Sequence, residues 1–352
     1  MPGIDTIKVS PLRGTLLLAL VVCGLSSGPL AAADAPSRYE FTERHLGVDV
    51  HLTLYADREA VANAAAVAAY RRIAALNLVL TDYDENSEAM RLVKHAVPGQ
   101  PVPVSQELWD ALQASQIYSV KSNGVFDVTV GPLVKLWRRA RRKGELPDPQ
   151  LVVEARQRVD YRFIQFSPEK REVTLARTGL QLDFGGIGKG FIADRALQTL
   201  KEQGCPSSLV AIAGDIAAGD APPAAAGWKI GIAPLESPTG PPSRYLLLKN
   251  CGVSTSGDAF QFVEIAGVRY SHIVDPRTGL GLTERCSVTI VAPDCTTADG
   301  LATTVCLLGR KAGFELLEET PGVAGLYVAA GENGPTAEES TRLKMWLIPS
   351  AP

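Results

Sequence analysis

Two oxygen-bearing side chains near the C-terminal end of the sequence have the spacing of a metal site. Asp299 and Thr303 are four residues apart at a predicted helix start, so both oxygens lie on one helix face, one turn apart. A small set of hard oxygen ligands, completed by water or phosphate, suits Mg²⁺. The alternative is a structural role, with Thr296 as N-cap and Asp299 three residues later as a variant of the capping box.

A glycine-rich turn is the second chemical feature. The run Gly185-Gly186-Ile187-Gly188-Lys189-Gly190 opens a predicted helix, an arrangement that points backbone N–H groups at an anion. It matches neither a Walker P-loop nor the G-x-G-x-x-G dinucleotide pattern, and a tight turn without a ligand is equally compatible with it. Because a cation in the first helical turn opposes the helix dipole, Lys189 should have a negative partner, either a carboxylate such as Asp183 or a phosphate.

A histidine beside a Pro/Gly turn is the third feature. His272 lies where a predicted strand runs into Asp275-Pro276, and it is one of four histidines in the chain. A lone histidine is more often structural than catalytic. Residues 254–258 (STSGD) could form a nucleophile turn, but they lack the G-x-S-x-G pattern, which disfavours a serine hydrolase.

The elements that position these residues are predicted from hydrophobic periodicity and turn signals. Helices are predicted over residues 57–80, 87–95, 105–122, 188–204, 297–308 and 312–318. Strands are predicted around the His45-Leu46-Gly47 turn and over residues 161–165, 172–175, 180–184, 287–292 and 323–330. Residues 138–148 are predicted to be a basic loop that faces solvent. With no internal repeat and no clean boundary, one intertwined α+β unit is favoured over two domains in series.

Composition limits the function classes further. The formal net charge is −3 over 352 residues, without the basic bias of a dedicated nucleic-acid binder. The five cysteines from Cys205 onward form no C-x-x-C pair, so neither a zinc site nor a disulfide framework is indicated, and buried free thiols are predicted.

The first 33 residues have the composition of a secretory signal. Lys8 and Arg13 precede an apolar run of about a dozen residues, and Ala31-Ala32-Ala33 follows before Asp34. Such a run is short for a bilayer span. The sequence therefore predicts cleavage after Ala33 and an exported, periplasmic protein. Lipidation of Cys23 is the minority reading, because Val22 stands where a lipoprotein signal expects a small residue.

Taken together, these segments resemble the ApbE-type FAD:protein FMN transferase family. The matching stretches are residues 124–133 (GVFDVTVGPL) with Leu136-Trp137, 182–194 (LDFGGIGKGFIAD), 213–216 (AGDI), 254–258 (STSGD), 272–279 (HIVDPRTG) and 298–303 (ADGLAT). They occur in the family's order over nearly the whole chain after residue 33. Six ordered motifs are far more specific than any one of them.

The resemblance implies a single intertwined, T-fold-like α+β domain over residues 34–352, with mixed and antiparallel sheets and flanking helices. It implies Mg²⁺-dependent transfer of the FMN half of FAD to a Ser or Thr of an exported acceptor protein, with AMP leaving. Carried over by motif, the FAD contacts are Leu46, Tyr83, Val125, Phe126, Asp127, Asp183, Lys189 and Val274. The implied metal ligands are Asp299, Thr303 and the backbone carbonyl of Gly186.

Within this resemblance, His272 is the candidate for proton handling and Asp258 is the second. Three functions stay open: transfer to a protein hydroxyl, a Mg²⁺-dependent FAD pyrophosphatase in which water is the acceptor, and an exported flavin-binding protein without catalysis. The sequence names neither the acceptor nor the oligomeric state. Flavoproteins of membrane electron-transfer chains are the acceptor class that the resemblance implies, so proximity to a membrane is open.

Overall fold

The computed structural model describes residues 35–237, 239–259 and 261–348. The predicted signal segment and Cys23 lie outside these residues. The helices, in chain order, are α1 (Glu59–Leu80), α2 (Glu88–His95), α3 (Gln106–Lys121), α4 (Gly131–Lys143), α5 (Pro149–Arg156), α6 (Gly188–Glu202), α7 (Cys295–Leu308) and α8 (Arg310–Glu319). Within the described part of the chain, no helix is long and apolar enough to cross a membrane.

In the residues that the structure describes, seventeen strands form one large sheet and four small ones. They are β1 (Ser37–His45), β2 (Val48–Ala56), β3 (Pro101–Pro103), β4 (Ile164–Ser167), β5 (Glu172–Leu175), β6 (Ser208–Ile212), β7 (Asp215–Ala218), β8 (Trp228–Ile232), β9 (Arg244–Leu248), β10 (Cys251–Gly257), β11 (Phe262–Ile265), β12 (Val268–Ser271), β13 (Val274–Asp275), β14 (Leu280–Gly281), β15 (Cys286–Ala292), β16 (Ala324–Ala329) and β17 (Thr336–Glu339). The large sheet is antiparallel throughout, in the order β1-β2-β6-β7-β10-β15-β16-β17. The predicted α+β class with antiparallel sheets is confirmed.

The first hairpin shows how local sequence sets the sheet. β1 and β2 pair in register from Ser37 with Ala56 to His45 with Val48, which leaves Leu46 and Gly47 as a two-residue turn. Both turn residues have positive φ, 55° and 75°, as the tight hairpin turns that match strand twist require. The strand pair predicted around this turn is confirmed.

The large sheet is covered on both faces. Apolar residues of α1, α6 and α7, among them Ile73, Leu200 and Leu301, form the main core with β2, β6 and β15. On the other face the β8–β9 hairpin contributes Trp228 and Leu246 to a second cluster. Because β15 lies between these layers, all seven of its residues are buried.

A third cluster joins α4 and α5 to the small hairpins. Leu133 and Trp137 of α4 pack with Tyr270 and Val274. The indole Nε1–H of Trp137 donates to the Ser271 carbonyl at 2.9 Å. This contact fixes α4 beside the residue that precedes His272.

The predicted basic loop over residues 138–148 is wrong. Helix α4 continues to Lys143 and ends at Gly144, which has a positive φ of 70°. Leu133, Trp137 and Ala140 are buried at helical spacing, and arginine is a good helix former, so the charged residues lie on the outer faces of an amphipathic helix. Only residues beyond Lys143 are loop before α5 begins.

The predicted strand over residues 180–184 is also wrong. Leu180, Leu182 and Phe184 alternate and are buried, but this segment pairs with no strand of the described structure. Its backbone is instead tied to the turn after Asp127, where the Asp183 N–H donates to the Val128 carbonyl at 2.8 Å. The alternation of apolar residues therefore predicts the burial of this segment correctly and its strand pairing incorrectly.

The predicted helices are confirmed within a few residues at each end. Ser87 and Ser105 are N-caps, each accepting a hydrogen bond from the backbone N–H three residues on. The five cysteines of the described residues are buried and carry free thiols, as predicted.

Candidate active site

Helices α6 and α7 meet at the glycine-rich turn. Gly190 lies so close to α7 that a Cβ there would be 2.3 Å from the Cys295 carbonyl oxygen and 2.8 Å from Cβ of Asp299. The Gly190 backbone N–H donates to Oδ2 of Asp299 at 2.9 Å. A buried carboxylate of one helix thus accepts from the first turn of the other, where the helix dipole favours negative charge.

The other two predicted metal ligands also lie together. A Cβ on Gly186 would be 2.9 Å from Cγ2 and 3.2 Å from Oγ1 of Thr303, so the turn and the helix are in direct contact there. Oγ1 of Thr303 is 3.2 Å from Oγ of Ser256, at the end of β10. The fold therefore brings Gly186, Thr303 and Asp299 to one junction, although the first is more than a hundred residues from the others in sequence.

The alternative of a helix cap is wrong. The N-cap of α7 is Asp294, which accepts from the Thr297 N–H at 2.7 Å. Thr296 lies inside the first turn and is held by Asp194, and Asp299 lies further along the helix. Capping of α7 therefore does not use Asp299, whose buried carboxylate accepts from the first turn of α6 instead.

Lys189 has a carboxylate partner, but it is not Asp183. Its ammonium group pairs with Asp215, at the start of β7, and the other oxygen of Asp215 accepts from Ser254 Oγ at 2.5 Å. Burial by itself lowers the pKa of Lys189, yet the charges of Asp215 and Asp299 outweigh it and the pKa is raised. Lys189 is therefore positively charged at physiological pH, and the buried carboxylate of Asp215 orients its ammonium group.

The junction carries more negative than positive charge. Asp215 and Asp299 are both buried, and Lys189 pairs with Asp215 and lowers the pKa of Asp299. Burial first, and then Asp215, raise the pKa of Asp299 to about 7. Carboxylate, hydroxyl and backbone oxygens with a surplus negative charge are a donor set that fits Mg²⁺.

A second group of predicted site residues surrounds Arg138. Its guanidinium pairs with Asp82, donates to Oδ2 of Asp183 at 3.0 Å, and lies 4.4 Å from the ring centre of Tyr83. The other oxygen of Asp183 accepts from the Gly185 N–H at 2.8 Å, which ties the same carboxylate to the glycine turn. Burial and the charge of Asp82 raise the pKa of Asp183, and Arg138 acts against both. Tyr83 itself is 80% exposed.

Asp127 is held in a structural role. Its Oδ1 accepts from the backbone N–H and the hydroxyl of Thr129, at 2.8 and 2.7 Å, and its Oδ2 accepts from the Tyr161 N–H at 2.8 Å. Burial raises its pKa to about 6, against the pull of these hydrogen bonds. Both oxygens of Asp127 thus stabilise this loop, and its role toward FAD stays a prediction.

The remaining predicted FAD contacts are apolar. The Phe126 ring is buried, and Cε2 would be 3.1 Å from a Cβ on Gly186, so this ring forms a wall beside the glycine turn. Val125 and Val274 are buried, and Leu46 is half-buried against the main core at the β1–β2 turn. Their role toward FAD stays a prediction.

His272 has one nitrogen free to accept a proton. Its Nδ1–H donates to the Gln261 carbonyl at 3.3 Å, which leaves Nε2 as the acceptor. Burial, and then the charge of Arg141, lower the pKa of His272 to about 4, and Lys189 and Asp258 also act on it. The imidazole is therefore neutral at physiological pH and lies within electrostatic reach of the lysine.

Asp258 is tied to a neighbouring arginine. Its Oδ2 accepts from Nε of Arg269 at 2.6 Å, and that guanidinium also stacks on Phe262, 3.3 Å from the ring centre. Oδ1 is buried and has no hydrogen-bond partner within the described residues. The ion pair makes Asp258 a less available proton acceptor than His272.

Sequence reasoning missed three residues of this region: Asp215, Ser254 and Arg138. Asp215 and Ser254 lie inside motifs quoted for the resemblance, so a search for a buried acid to pair with Lys189 could have found them. Arg138 gave no signal, because it was read as one member of an exposed basic run.

The described residues form an α+β fold in which a lysine, buried acids and hydroxyls surround a glycine turn. This arrangement suits phosphate chemistry. The chain belongs to the ApbE family, whose model matches residues 46–327. It is 33% identical over 327 residues to a protein of Treponema pallidum named FAD:protein FMN transferase, covering 89% of this chain and 90% of that one. A Klebsiella pneumoniae protein of the same name is 27% identical, covering 96% and 95%. The structure of the Pseudomonas stutzeri flavinyl transferase ApbE, apo form, superposes with a TM-score of 0.79 at 26% identity, covering 91% of this chain and all of that one.

Proposed function

We propose that this chain is a FAD:protein FMN transferase. It transfers the FMN half of FAD to a Ser or Thr hydroxyl of another protein, in a Mg²⁺-dependent reaction that releases AMP. The shared name of its relatives supports the reaction class. The single observation that carries the proposal is the junction where Gly186, Asp299 and Thr303 lie beside Lys189.

This junction supplies the ligands and the charge that the reaction needs. Asp299, Thr303 and the Gly186 carbonyl would hold Mg²⁺, and Gly186 is the one residue type that fits against Thr303 without a clash. When bound, the ion neutralises charge on the diphosphate of FAD and orients it. The fixed ammonium group of Lys189 adds a second positive charge for the phosphate oxygens.

The transfer forms one P–O bond, breaks another and moves one proton. The acceptor oxygen forms a bond to the FMN-side phosphorus, the bridging P–O bond breaks, and AMP leaves with the bridging oxygen. The hydroxyl proton of the acceptor goes to Nε2 of His272, which is neutral and has no hydrogen bond to give up within the described structure. Lys189 stabilises the charge that develops on the departing phosphate.

The proposal extends to partners and compartment. The acceptors are exported proteins with a Ser or Thr that can be flavinylated, and the enzyme is itself exported after cleavage behind Ala33. The predicted signal at residues 1–33 supports export. Nothing in the charge of the chain favours nucleic acid as a partner.

The decisive experiment separates transfer from its two alternatives. The purified protein is incubated with FAD, MgCl₂ and exported proteins of the source organism. Flavin fluorescence of denatured gel bands is then read together with free FMN and AMP. Transfer predicts a fluorescent band and one AMP for each flavin attached. Free FMN and AMP without a labelled band would instead support a pyrophosphatase, and bound FAD without AMP would support a binding protein; either result contradicts the proposal.

Matched variants test the metal junction in the same assay. Asp299→Ala is expected to lower transfer by about a hundredfold or more, since a bound metal contributes several kcal/mol to such a transition state. EDTA should have the same effect on the unaltered protein. Asp49→Ala, which removes an exposed carboxylate of β2, is the control and should transfer normally. Normal transfer by Asp299→Ala at limiting Mg²⁺ would contradict the metal assignment.

A further inference from the structure

Arg138 joins two residues that the family resemblance assigns to FAD, although it belongs to none of the matching motifs. It contacts Asp183 on the segment before the glycine turn, and both Asp82 and Tyr83 on the loop between α1 and α2. Its side chain is about one quarter exposed, at 26%. One guanidinium thus links helix α4 to two loops that are far apart in sequence.

The geometry suits arginine and no other residue. The planar fork reaches one carboxylate with each terminal nitrogen, Nη1 with Asp82 and Nη2 with Asp183, while its central carbon lies over the Tyr83 ring. Lysine carries the same charge but has neither the fork nor the plane. Without a cation between them, Asp82 and Asp183 would repel each other in a partly buried place.

Tyr83 is an aromatic platform with one covered face. The Arg138 guanidinium lies against one side of the ring, and the side chain is otherwise 80% exposed. Arg138, which is itself fixed by two ion pairs, orients this exposed ring through a cation–π contact. The exposed ring adds nothing to the hydrophobic core. Its open face fits a planar aromatic ring, and FAD has two such rings.

We infer that Arg138 is a positioning residue of the FAD site, which fixes the ring of Tyr83 and the carboxylate of Asp183 where the dinucleotide contacts them. The inference rests on the proposed function, because it takes FAD as the ligand. Arg138 itself acts through its two neighbours. Its loss therefore weakens FAD binding without removing any group that takes part in the chemical step.

The test separates binding from catalysis. FAD binding is measured by equilibrium dialysis in EDTA without acceptor, and KM and kcat are measured in the complete assay. Arg138→Ala is expected to raise both the Kd and the KM for FAD about tenfold, with little change in kcat. This pattern is expected when a variant weakens binding of the substrate and of the transition state equally. Arg138→Lys should lose most of the same affinity, because charge alone does not restore the fork. Arg139→Ala is the control: Arg139 is exposed on the same helix and forms no ion pair within the described structure.

A double-mutant cycle tests the route of the effect. If Arg138 acts through Tyr83, Arg138→Ala in a Tyr83→Ala background should weaken FAD binding much less than about tenfold. Unchanged affinity in folded Arg138→Ala, or losses that are additive both with Tyr83→Ala and with Asp183→Asn, would overturn the inference. If the unaltered protein binds FAD neither in EDTA nor with MgCl₂ present, the proposed function fails and the inference with it. If it binds FAD but transfers nothing, only the proposed function fails, and the binding comparison still decides the role of Arg138.

Discussion

Thr303 contributes one hydroxyl to the α6–α7 junction, and that hydroxyl can be removed without changing shape. Oγ1 is 3.2 Å from Ser256 Oγ and faces Gly186. Thr303→Val keeps the volume but lacks the oxygen. We expect it to raise the Mg²⁺ concentration for half-maximal AMP release by about tenfold or more, as the loss of one hard oxygen donor predicts.

Thr303→Ser is the matched control for this prediction. It keeps the hydroxyl and loses the methyl group that packs near Gly186, so its Mg²⁺ dependence should stay close to that of the unaltered protein. Equal Mg²⁺ dependence of the Val and Ser variants would show that the hydroxyl does not contact the ion.

The low pKa of His272 sets the pH range of a proton acceptor. Burial and Arg141 lower this pKa to about 4, so the neutral imidazole persists as pH falls from 8 to 5 and is lost only below that. At saturating Mg²⁺, which keeps Asp299 ionised, we expect His272 to add no acid limb to kcat/KM near pH 6.5. His272→Gln should lower kcat by about 10²–10⁴ at neutral pH, the usual contribution of a positioned base.

Arg141→Gln tests the cause of the shift. Removing a positive charge beside the imidazole favours its protonated form, so the acid limb of kcat/KM should move to higher pH. Arg142→Gln is the control, since Arg142 is exposed on the same helix, whereas Arg141 and Lys189 are the charges that lower the pKa of His272. At saturating Mg²⁺, an acid limb near 6.5 in the unaltered protein, or one that Arg141→Gln leaves in place, would contradict the assigned role of His272.

At the residue scale, the sequence revealed the types of the chemical groups better than their partners. The i, i+4 spacing and the resemblance were enough to single out Asp299 and Thr303, and the dipole argument was enough to require an anion near Lys189. Asp183 was wrong as that anion, because the choice between two acids depends on how β7 lies against α6. That is a tertiary contact across 26 residues, which no local pattern encodes.

Helix α6 approaches α7 only because Gly190 has no side chain. A Cβ there would enter the Cys295 carbonyl and the Asp299 side chain, so the helices must separate. We expect Gly190→Ala to lower the free energy of unfolding by about 1–3 kcal/mol, the usual cost of overpacking. It should also lower transfer activity, because the hydrogen bond from residue 190 to Asp299 lengthens. Chemical denaturation and the AMP assay measure the two effects.

Gly188→Ala is the comparison variant in the same helical turn. Its added methyl would meet only Cβ of Phe184, at 3.2 Å, a contact that a small shift relieves. Its loss of stability should therefore be the smaller of the two. Equal stability of Gly190→Ala and the unaltered protein would show that the junction is looser than the structure indicates.

Elements were predicted well where local signals were sufficient and poorly where packing decides. The strand pair around Leu46-Gly47 and the helix that follows Ser105 have their own turn and capping residues, and both elements are confirmed. Helix α4 was missed as a whole, because Gly131-Pro132 interrupts its apolar start and a run of arginines hides the apolar stripe that continues to Ala140. Residues 180–184 were misread because alternation indicates a buried extended segment, whether or not a partner strand lies beside it.

For the whole molecule, the layers explain why one site draws on distant segments. The large sheet supplies Asp215 and Ser256 at strand ends, the helical layer supplies Lys189 and Asp299, and α4 brings Arg138 to the edge of the same region. The α+β class could be predicted from strand and helix patterns, whereas the antiparallel sheets were implied only by the family resemblance. The order of strands in the large sheet could not, because β7, β10 and β15 are neighbours in space while long segments separate them in sequence.

Export is the prediction that concerns the chain as a whole. A charged start, a short apolar run and Ala31-x-Ala33 predict cleavage that leaves Asp34 as the first residue. Intact-mass analysis of the exported protein should therefore give the mass of residues 34–352 without an acyl group. Ala33→Phe should block processing, because the cleavage site requires a small residue, while Ala35→Phe should be processed normally. Cys23→Ser should leave the mass and the release of the protein unchanged. A mature protein that begins at an acylated Cys23 would contradict this reading and indicate that the enzyme is anchored to the membrane.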